Sequence, residues 1–73
     1  MAIVDVKAEI TGSVWKIVVK VGDRVTEDQP LVILESMKME IPLMATEDGV
    51  VTEMLAVEGA AVAEGAVLVR LEV

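Results

Sequence analysis

Residues 30–45 read PLVILESMKMEIPLMA, two strand-like stretches joined by a short turn. The apolar run Leu31–Leu34 has the length of a buried strand. Ile41, Leu43 and Ala45 then alternate with other residues at the two-residue period of a strand. Between the two stretches, Ser36–Met39 contains no Gly, Asn, Asp or Pro, the residues that usually form a tight hairpin turn. This stretch therefore predicts a β-hairpin with an irregular tip.

Outside the hairpin, the apolar residues also come in short runs separated by Gly, Asp, Glu and Pro. Val4, Val6 and Ala8 alternate with charged residues, which is typical of a half-buried strand. No stretch has a convincing helical period. We predict eight strands, at residues 3–8, 13–20, 24–26, 30–36, 39–45, 50–57, 61–63 and 67–72. The predicted fold class is all-β, a sandwich or flattened barrel.

The chain contains an internal repeat. With a shift of 37 residues, Gly12–Glu35 aligns with Gly49–Glu72 without a gap, and nine of the 24 aligned positions are identical. Two copies too small to fold alone must share one core, most simply about a pseudo-twofold axis. Ser36–Met39 joins two strands after the first copy, whereas the chain ends after the second, so we expect this turn and the chain termini at opposite ends of the molecule. Trp15 aligns with Thr52, and we expect it at a sheet edge rather than in the symmetric core.

The composition excludes several classes of function. The 73 residues include no His, Cys, Tyr or Phe, and Trp15 is the single aromatic residue. Imidazole and thiolate catalysis, disulfides and ordinary zinc sites are therefore excluded, and we expect no metal site. A net charge of −7 opposes binding to nucleic acids and to anionic membranes. A chain of this length predicts a single domain, residues 1–73. We expect it in the cytoplasm, because the N-terminus lacks the features of a signal peptide.

The Ser36–Met39 turn is the main candidate for a functional site. A two-residue hairpin turn needs positive φ angles, and methionines are poor surface residues, so this turn breaks two local rules. Strand parity places Met39 on the inward face with Ile41. We expect Met37 to be the more exposed methionine and Lys38 to project from the tip. Such a lysine is a weak nucleophile unaided and is better suited to receive a group from another enzyme. Taken separately, a solvated lysine or a gap-filling methionine is the ordinary interpretation of each residue. Two methionines that flank one lysine at the irregular hairpin make this interpretation less attractive, although physical reasoning alone does not choose the chemistry.

Glu35–Glu40, ESMKME, resembles the Met-Lys-Met signature of biotinyl carrier domains, members of the biotinyl/lipoyl attachment family. Further matches to this family cover nearly the whole chain, at Gly12-Ser13-Val14, Val21-Gly22-Asp23, Gln29-Pro30-Leu31, Asp48-Gly49-Val50-Val51 and Val57-Glu58-Gly59. The resemblance implies a barrel-sandwich hybrid, a flattened barrel of two four-stranded antiparallel sheets with quasi-twofold symmetry. Two positions depart from the family pattern. Ser36 stands where alanine is common, and Asp28 stands where glycine is usual but can still adopt a left-handed turn.

The resemblance also implies a role for each residue at the turn. The amine of Lys38 would attack a biotinyl-adenylate held by a biotin protein ligase and form an amide. The attached biotin would carry a carboxyl group from a biotin carboxylase to a carboxyltransferase, with an acyl-CoA as the expected acceptor and pyruvate, urea or a decarboxylase system as alternatives. Met37 and Met39 would frame the lysine for these enzymes. The other residues implied in ligase or partner recognition are Glu35, Ser36 and Glu40.

The same resemblance describes the domain as a carrier that catalyses nothing itself. We expect it to be monomeric, and either free-standing or the C-terminal domain of a larger carboxylase subunit.

Two other interpretations stay open. Lipoyl domains have a similar fold and often carry Asp-Lys-Ala at the turn, with a glutamate three residues before the lysine, the position of Glu35. Met37 and Met39 in place of Asp and Ala favour biotin over lipoate. Glu35 also aligns with Glu72, which no lysine follows, so it can equally be a solvated strand residue. The third interpretation is an unmodified interaction module whose apolar tip binds a partner directly.

Overall fold

The computed structural model describes residues 2–73, which form eight β-strands and no helix. The strands are β1 (Ile3–Lys7), β2 (Gly12–Ile17), β3 (Arg24–Val25), β4 (Pro30–Ser36), β5 (Met39–Met44), β6 (Gly49–Met54), β7 (Ala61–Val62) and β8 (Val67–Glu72). Each of them overlaps one predicted strand, and the all-β fold class is confirmed. Within the same residues no helix of the length and hydropathy of a membrane span is found.

Strand β2 ends at Ile17, three residues before its predicted end, and β6 is short by the same amount. The segment after β2 crosses from one sheet to the other. The Val18 amide donates a hydrogen bond of 3.0 Å to the Leu31 carbonyl on β4, and the Gly22 amide donates one of 2.8 Å to the Val51 carbonyl on β6. Valines occur in this crossing segment as well as in the strands. The valine-rich sequence therefore predicted strands that are longer than those observed.

The strands form two antiparallel sheets, with the orders β1-β8-β6-β3 and β5-β4-β2-β7. A shift of 37 residues carries each strand of the first sheet onto the strand at the same place in the second. Backbone contacts follow the same rule, since Gly22 donates to Val51 and Gly59 donates to Val14, both at 2.8 Å. Each sheet therefore takes strands from both copies of the repeat. The predicted arrangement of two four-stranded sheets about a pseudo-twofold axis is confirmed.

The core lies between the sheets and is built from aliphatic residues related by the repeat. Leu34 and Leu71 are 1% and 0% exposed, and Val14 and Val51 are 2% and 1% exposed. Burial of a side chain of this size stabilises a fold by about 1.5–3 kcal/mol. No polar or charged side chain between residues 2 and 73 is buried. Close apolar packing thus makes the barrel a firm support for its hairpins.

The hairpin tip and the chain ends lie at opposite ends of the molecule, as the repeat predicted. Ala2 and Val73 exchange backbone hydrogen bonds of 3.3 and 2.9 Å, and Val73 lies beside Gly49. The tip lies beside Gly12 instead, and strand β1 with the link that follows it leads from one region to the other. The molecule measures 36 Å along its longest axis and 17 Å across. Met1, which the prediction of the termini included, lies outside the described residues.

Candidate functional site

Strands β4 and β5 are joined by a two-residue turn with a left-handed backbone at both positions. Ser36 pairs with Met39, and between them Met37 and Lys38 have φ angles of 53° and 64°. Positive φ at both positions is the geometry of a type I′ turn, which Asn-Gly or Asp-Gly normally forms. A left-handed backbone costs roughly 1–2 kcal/mol at a residue that has a Cβ atom. The turn therefore carries two long side chains at positions where glycine would be more stable.

All three residues of the Met-Lys-Met motif are exposed. Met37 is 92% exposed, Met39 is 62% exposed, and Lys38 is also in the exposed class. The prediction that Met37 is the more exposed methionine is confirmed. Met39 has the parity of Ile41 and Leu43, as predicted, but it is not buried, because exposure falls to a half-buried Ile41 and to 7% only at Leu43. The first residues of β5 extend beyond the core, so the inward face of the strand becomes buried only further along.

Residues outside the hairpin hold the end of β4 in place. Ser36 Oγ donates a hydrogen bond of 3.1 Å to the Thr11 carbonyl, and the Thr11 hydroxyl accepts one of 3.2 Å from the Glu64 amide. Gly12 lies so close to the Glu35 carbonyl that a Cβ atom would overlap with it. In the sequence, Thr11-Gly12 has the composition of a turn, and Gly12 matches the repeat and the family pattern, but neither residue indicated a role at the hairpin. Their supporting role depends on the approach of distant segments.

Two carboxylates flank the turn. Glu35 and Glu40 lie directly opposite each other on β4 and β5, and both are exposed. Like charges in this arrangement destabilise a hairpin. In the part of the chain that the structure describes, the ion pairs all involve Arg70, so neither glutamate is bridged to Lys38. The amine of Lys38 is thus available to an approaching protein, and two acidic groups lie beside it.

The turn is a protrusion and not a pocket. A cleft of about 740 Å³ lies between β1 and β5, lined by residues such as Val6, Ala8 and Leu43, and no residue of Ser36–Met39 lines it. Residues 2–73 bring together no group of three or more side chains that would suit a metal ion. An exposed amine on a protruding turn can be inserted into the active site of another enzyme, which then supplies the activation.

A small barrel of two quasi-symmetric sheets with an exposed lysine at a hairpin tip agrees with the attachment domains that the sequence resembles. The family described as biotin-requiring enzymes, the biotin/lipoyl family, matches residues 2–71. A biotin/lipoyl attachment protein of Bacillus subtilis is 47% identical over 66 residues, which are 90% of this chain and 90% of that protein. The chain belongs to the biotin/lipoyl attachment family.

Two larger proteins contain a similar domain. The biotin-dependent acyl-coenzyme A carboxylase alpha3 subunit of Mycobacterium leprae is 37% identical over 67 residues, which are 92% of this chain and 11% of that subunit. The crystal structure of the Kluyveromyces lactis urea carboxylase matches with a TM-score of 0.93 at 32% identity. This match covers 99% of the present chain and 6% of the urea carboxylase. The chain thus spans only a small part of these two carboxylases.

Proposed function

We propose that this chain is a biotin carboxyl carrier domain with biotin attached covalently to Lys38. The observation that carries the proposal is the turn itself, an exposed lysine between two exposed methionines on a left-handed backbone. These side chains stand where folding alone favours glycine, so a functional role accounts for them better than stability does. An amine that no carboxylate between residues 2 and 73 engages also fits covalent attachment through an amide.

The side chains of the turn have separate roles in the attachment step. Lys38 Nζ attacks the acyl carbon of a biotinyl-adenylate held by a biotin protein ligase. A C–N bond forms, the C–O bond to the phosphate breaks, AMP leaves, and the amine loses a proton to the ligase or to water. Met37 and Met39 offer polarizable, adaptable contacts on both sides of the lysine. Ser36 fixes the end of β4 through Thr11, so that the ligase meets the turn in one geometry.

After attachment, the domain acts as a rigid body with a flexible arm. Biotin supplies the chemistry of carboxyl-group transfer. The barrel keeps the arm close to a biotin carboxylase and a carboxyltransferase, which raises its effective concentration at both active sites. The domain itself catalyses nothing in this scheme. We propose that it works in the cytoplasm as a monomeric unit, residues 1–73.

An acyl-CoA is the carboxyl acceptor that we propose. The similarity to the acyl-coenzyme A carboxylase subunit of M. leprae supports this choice, and pyruvate and urea are the alternatives. The acceptor is tested by carboxylating the biotinylated chain with a biotin carboxylase, ATP and bicarbonate, and then supplying it to purified carboxyltransferases for acyl-CoA, pyruvate and urea. We expect carboxyl transfer to acyl-CoA. Transfer only to pyruvate or only to urea would show that this compound is the acceptor instead.

The intact mass of the chain tests the proposed modification. After co-expression with a biotin protein ligase, we expect an increase of about 226 Da in the wild type and none in Lys38→Arg. Lys20→Arg is the matched control, because Lys20 is also exposed but lies outside the hairpin, and it should be modified like the wild type. An unmodified wild type, or a modified Lys38→Arg variant, would contradict the proposal.

A lipoyl carrier is the second candidate, because the exposed Glu35 stands three residues before Lys38, as in lipoyl domains. Co-expression with a lipoyl ligase would then add about 188 Da to the same lysine. Lipoylation without biotinylation would show that the cofactor is lipoate and that Lys38 is still the attachment site. Modification by neither ligase would favour an unmodified interaction module.

A further inference from the structure

The outer faces of the two sheets differ, although their strand orders repeat. On the sheet β1-β8-β6-β3, Asp5, Arg70 and Glu53 form a row across three strands. Arg70 Nε lies 3.0 Å from Asp5 Oδ1, and Arg70 Nη1 lies 2.9 Å from Glu53 Oε1. Hydrogen bonds to Glu53 and to Asp5 raise the pKa of Arg70. A charged row of this kind is typical of a sheet face that meets only solvent.

The equivalent row on the other sheet is largely apolar. Pro42, Ile33 and Lys16 lie side by side on β5, β4 and β2, in the register that relates Asp5, Arg70 and Glu53. Beside this row, Trp15 is 49% exposed and Met44 is 43% exposed. We call Trp15, Ile33, Pro42 and Met44 the hairpin face. The 37-residue shift relates these four to residues that are all polar or charged, namely Thr52, Arg70, Asp5 and Lys7.

Folding does not require the apolar character of the hairpin face. Ile33 and Pro42 point away from the core, since their strand neighbours Leu34 and Leu43 are buried in it. The other sheet shows that the same positions accept an ion-paired row without loss of the strand register. Single exposed apolar residues are ordinary, but a group of neighbours on one sheet indicates a surface that a partner covers.

We propose that the hairpin face is the docking surface for the biotin protein ligase that modifies Lys38, an inference that rests on the proposed function. Strands β4 and β5 carry both the face and the turn, and Pro42 is about 13 Å along the strand from Lys38. A protein interface of ordinary size covers about 800 Å² of each partner. The whole described chain exposes 4477 Å², so an interface of this size covers about a fifth of it, which is enough to include part of the adjoining sheet as well as the tip.

Charge defines the ligase surface that would fit. Glu35 and Glu40 lie between the hairpin face and the tip, and the chain has a net charge of −7. The complementary surface is an apolar patch bordered by basic side chains near the ligase active site. The apolar patch would supply most of the affinity, and the basic border would set the orientation.

A transplant of the charged row tests the docking surface. The double variant Ile33→Arg/Pro42→Asp copies the Arg70–Asp5 pair of the other sheet, where the same register supports it. We expect the ligase KM for this chain to rise about tenfold with little change in kcat, because binding contacts are lost while Lys38 is unchanged. The matched control is Arg70→Ile/Asp5→Val, which removes both ion pairs of Arg70 on the far sheet and should leave both constants unchanged. Thermal unfolding shows whether each variant is folded at the assay temperature.

Because Trp15 is the single tryptophan, a second test can be made without any substitution in the hairpin face. A Lys38→Arg chain labelled with 5-fluorotryptophan reports on Trp15 alone and is not consumed by the ligase. We expect its ¹⁹F resonance to shift or broaden as the ligase is added. A Trp15 resonance that stays unchanged while the Met37 methyl resonance responds would overturn the inference, and so would a normal KM for the folded double variant. A wild-type chain that the ligase does not modify would instead overturn the proposed function.

Discussion

Met37 and Lys38 adopt backbone conformations that glycine adopts more readily. Asp28 is the other non-glycine residue with positive φ in the described chain, at 69°, and the sequence anticipated its left-handed turn. The short polar side chain of aspartate tolerates this conformation, whereas methionine and lysine gain nothing comparable from it. At the scale of single residues, the strain is therefore concentrated at the two positions with the most prominent role in the proposed modification.

Met37→Gly should stabilise the fold, because glycine removes the left-handed penalty at this position. We expect a gain of about 1 kcal/mol in the free energy of unfolding. In a domain of this size, that corresponds to a rise in Tm of roughly 4–8 °C in thermal unfolding. The control is Met39→Gly, a strand residue without positive φ, which should lower Tm. A Met37→Gly chain with an unchanged or lower Tm would show that the turn is not strained.

At the scale of the elements, the end of β4 determines where the turn is presented. Gly12 on β2 packs against the Glu35 carbonyl, and Gly49 on β6 packs in the same way against the Glu72 carbonyl. The two contacts are related by the repeat, but only the first lies beside Lys38. A substitution at Gly49 can therefore serve as the control for the same substitution at Gly12, which lies beside the site.

Gly12→Ala and Gly49→Ala should both lower stability, by about 1–3 kcal/mol, because each added methyl group displaces a neighbouring strand. Only Gly12→Ala should also reduce the rate of ligase modification at a temperature where both variants are folded, since it shifts Glu35 and Ser36. The measurement compares modification rates with unfolding curves for the two chains. Equal rates for both variants would argue against a role of the Gly12 contact in presenting the turn.

The sequence predicted the elements well where side chains alternate and less well where the chain crosses between sheets. Alternation at Ile41 and Leu43 reflects one buried face, which fixes both the strand and its register. Val18, Val19 and Val21 are as apolar as strand residues, so the sequence gave no sign that the ladder ends at Ile17. Contacts between distant segments, such as Ser36 with Thr11, have no local pattern to reveal them.

At the scale of the whole molecule, each sheet is shared between the two copies of the repeat. The first half supplies β1 and β3 to one sheet and β2 and β4 to the other. Core residues such as Leu34 and Leu71 therefore pack between strands from both halves. The repeat made this sharing predictable, because neither copy alone has enough strands to bury its apolar face.

The halves of the chain, residues 1–37 and 38–73, should be unfolded when each is prepared alone. Each would expose the apolar face that the other half covers, and neither would retain a complete sheet. Circular dichroism and thermal unfolding of the separate peptides test this, with the intact chain as the reference. A cooperative unfolding transition in either peptide would contradict the shared core.

Much of the candidate site was also predictable, for a physical reason. The turn breaks local rules that the rest of the chain obeys, so Met37 and Lys38 stood out in the sequence. The exposure of Met39 was not predictable from parity, because it depends on where β5 leaves the core. The contrast between the hairpin face and the charged row on the other sheet became visible only when the register of Ile33 and Arg70 was known.

The central claim is that Lys38 is the one residue to which a biotin protein ligase attaches biotin. Peptide mapping by mass spectrometry after incubation of the wild-type chain with ligase, ATP and biotin tests it most directly. We predict that the added mass of about 226 Da is found on Lys38 alone. Biotin on Lys7, Lys16 or Lys20, or no added mass on any lysine, would contradict the account.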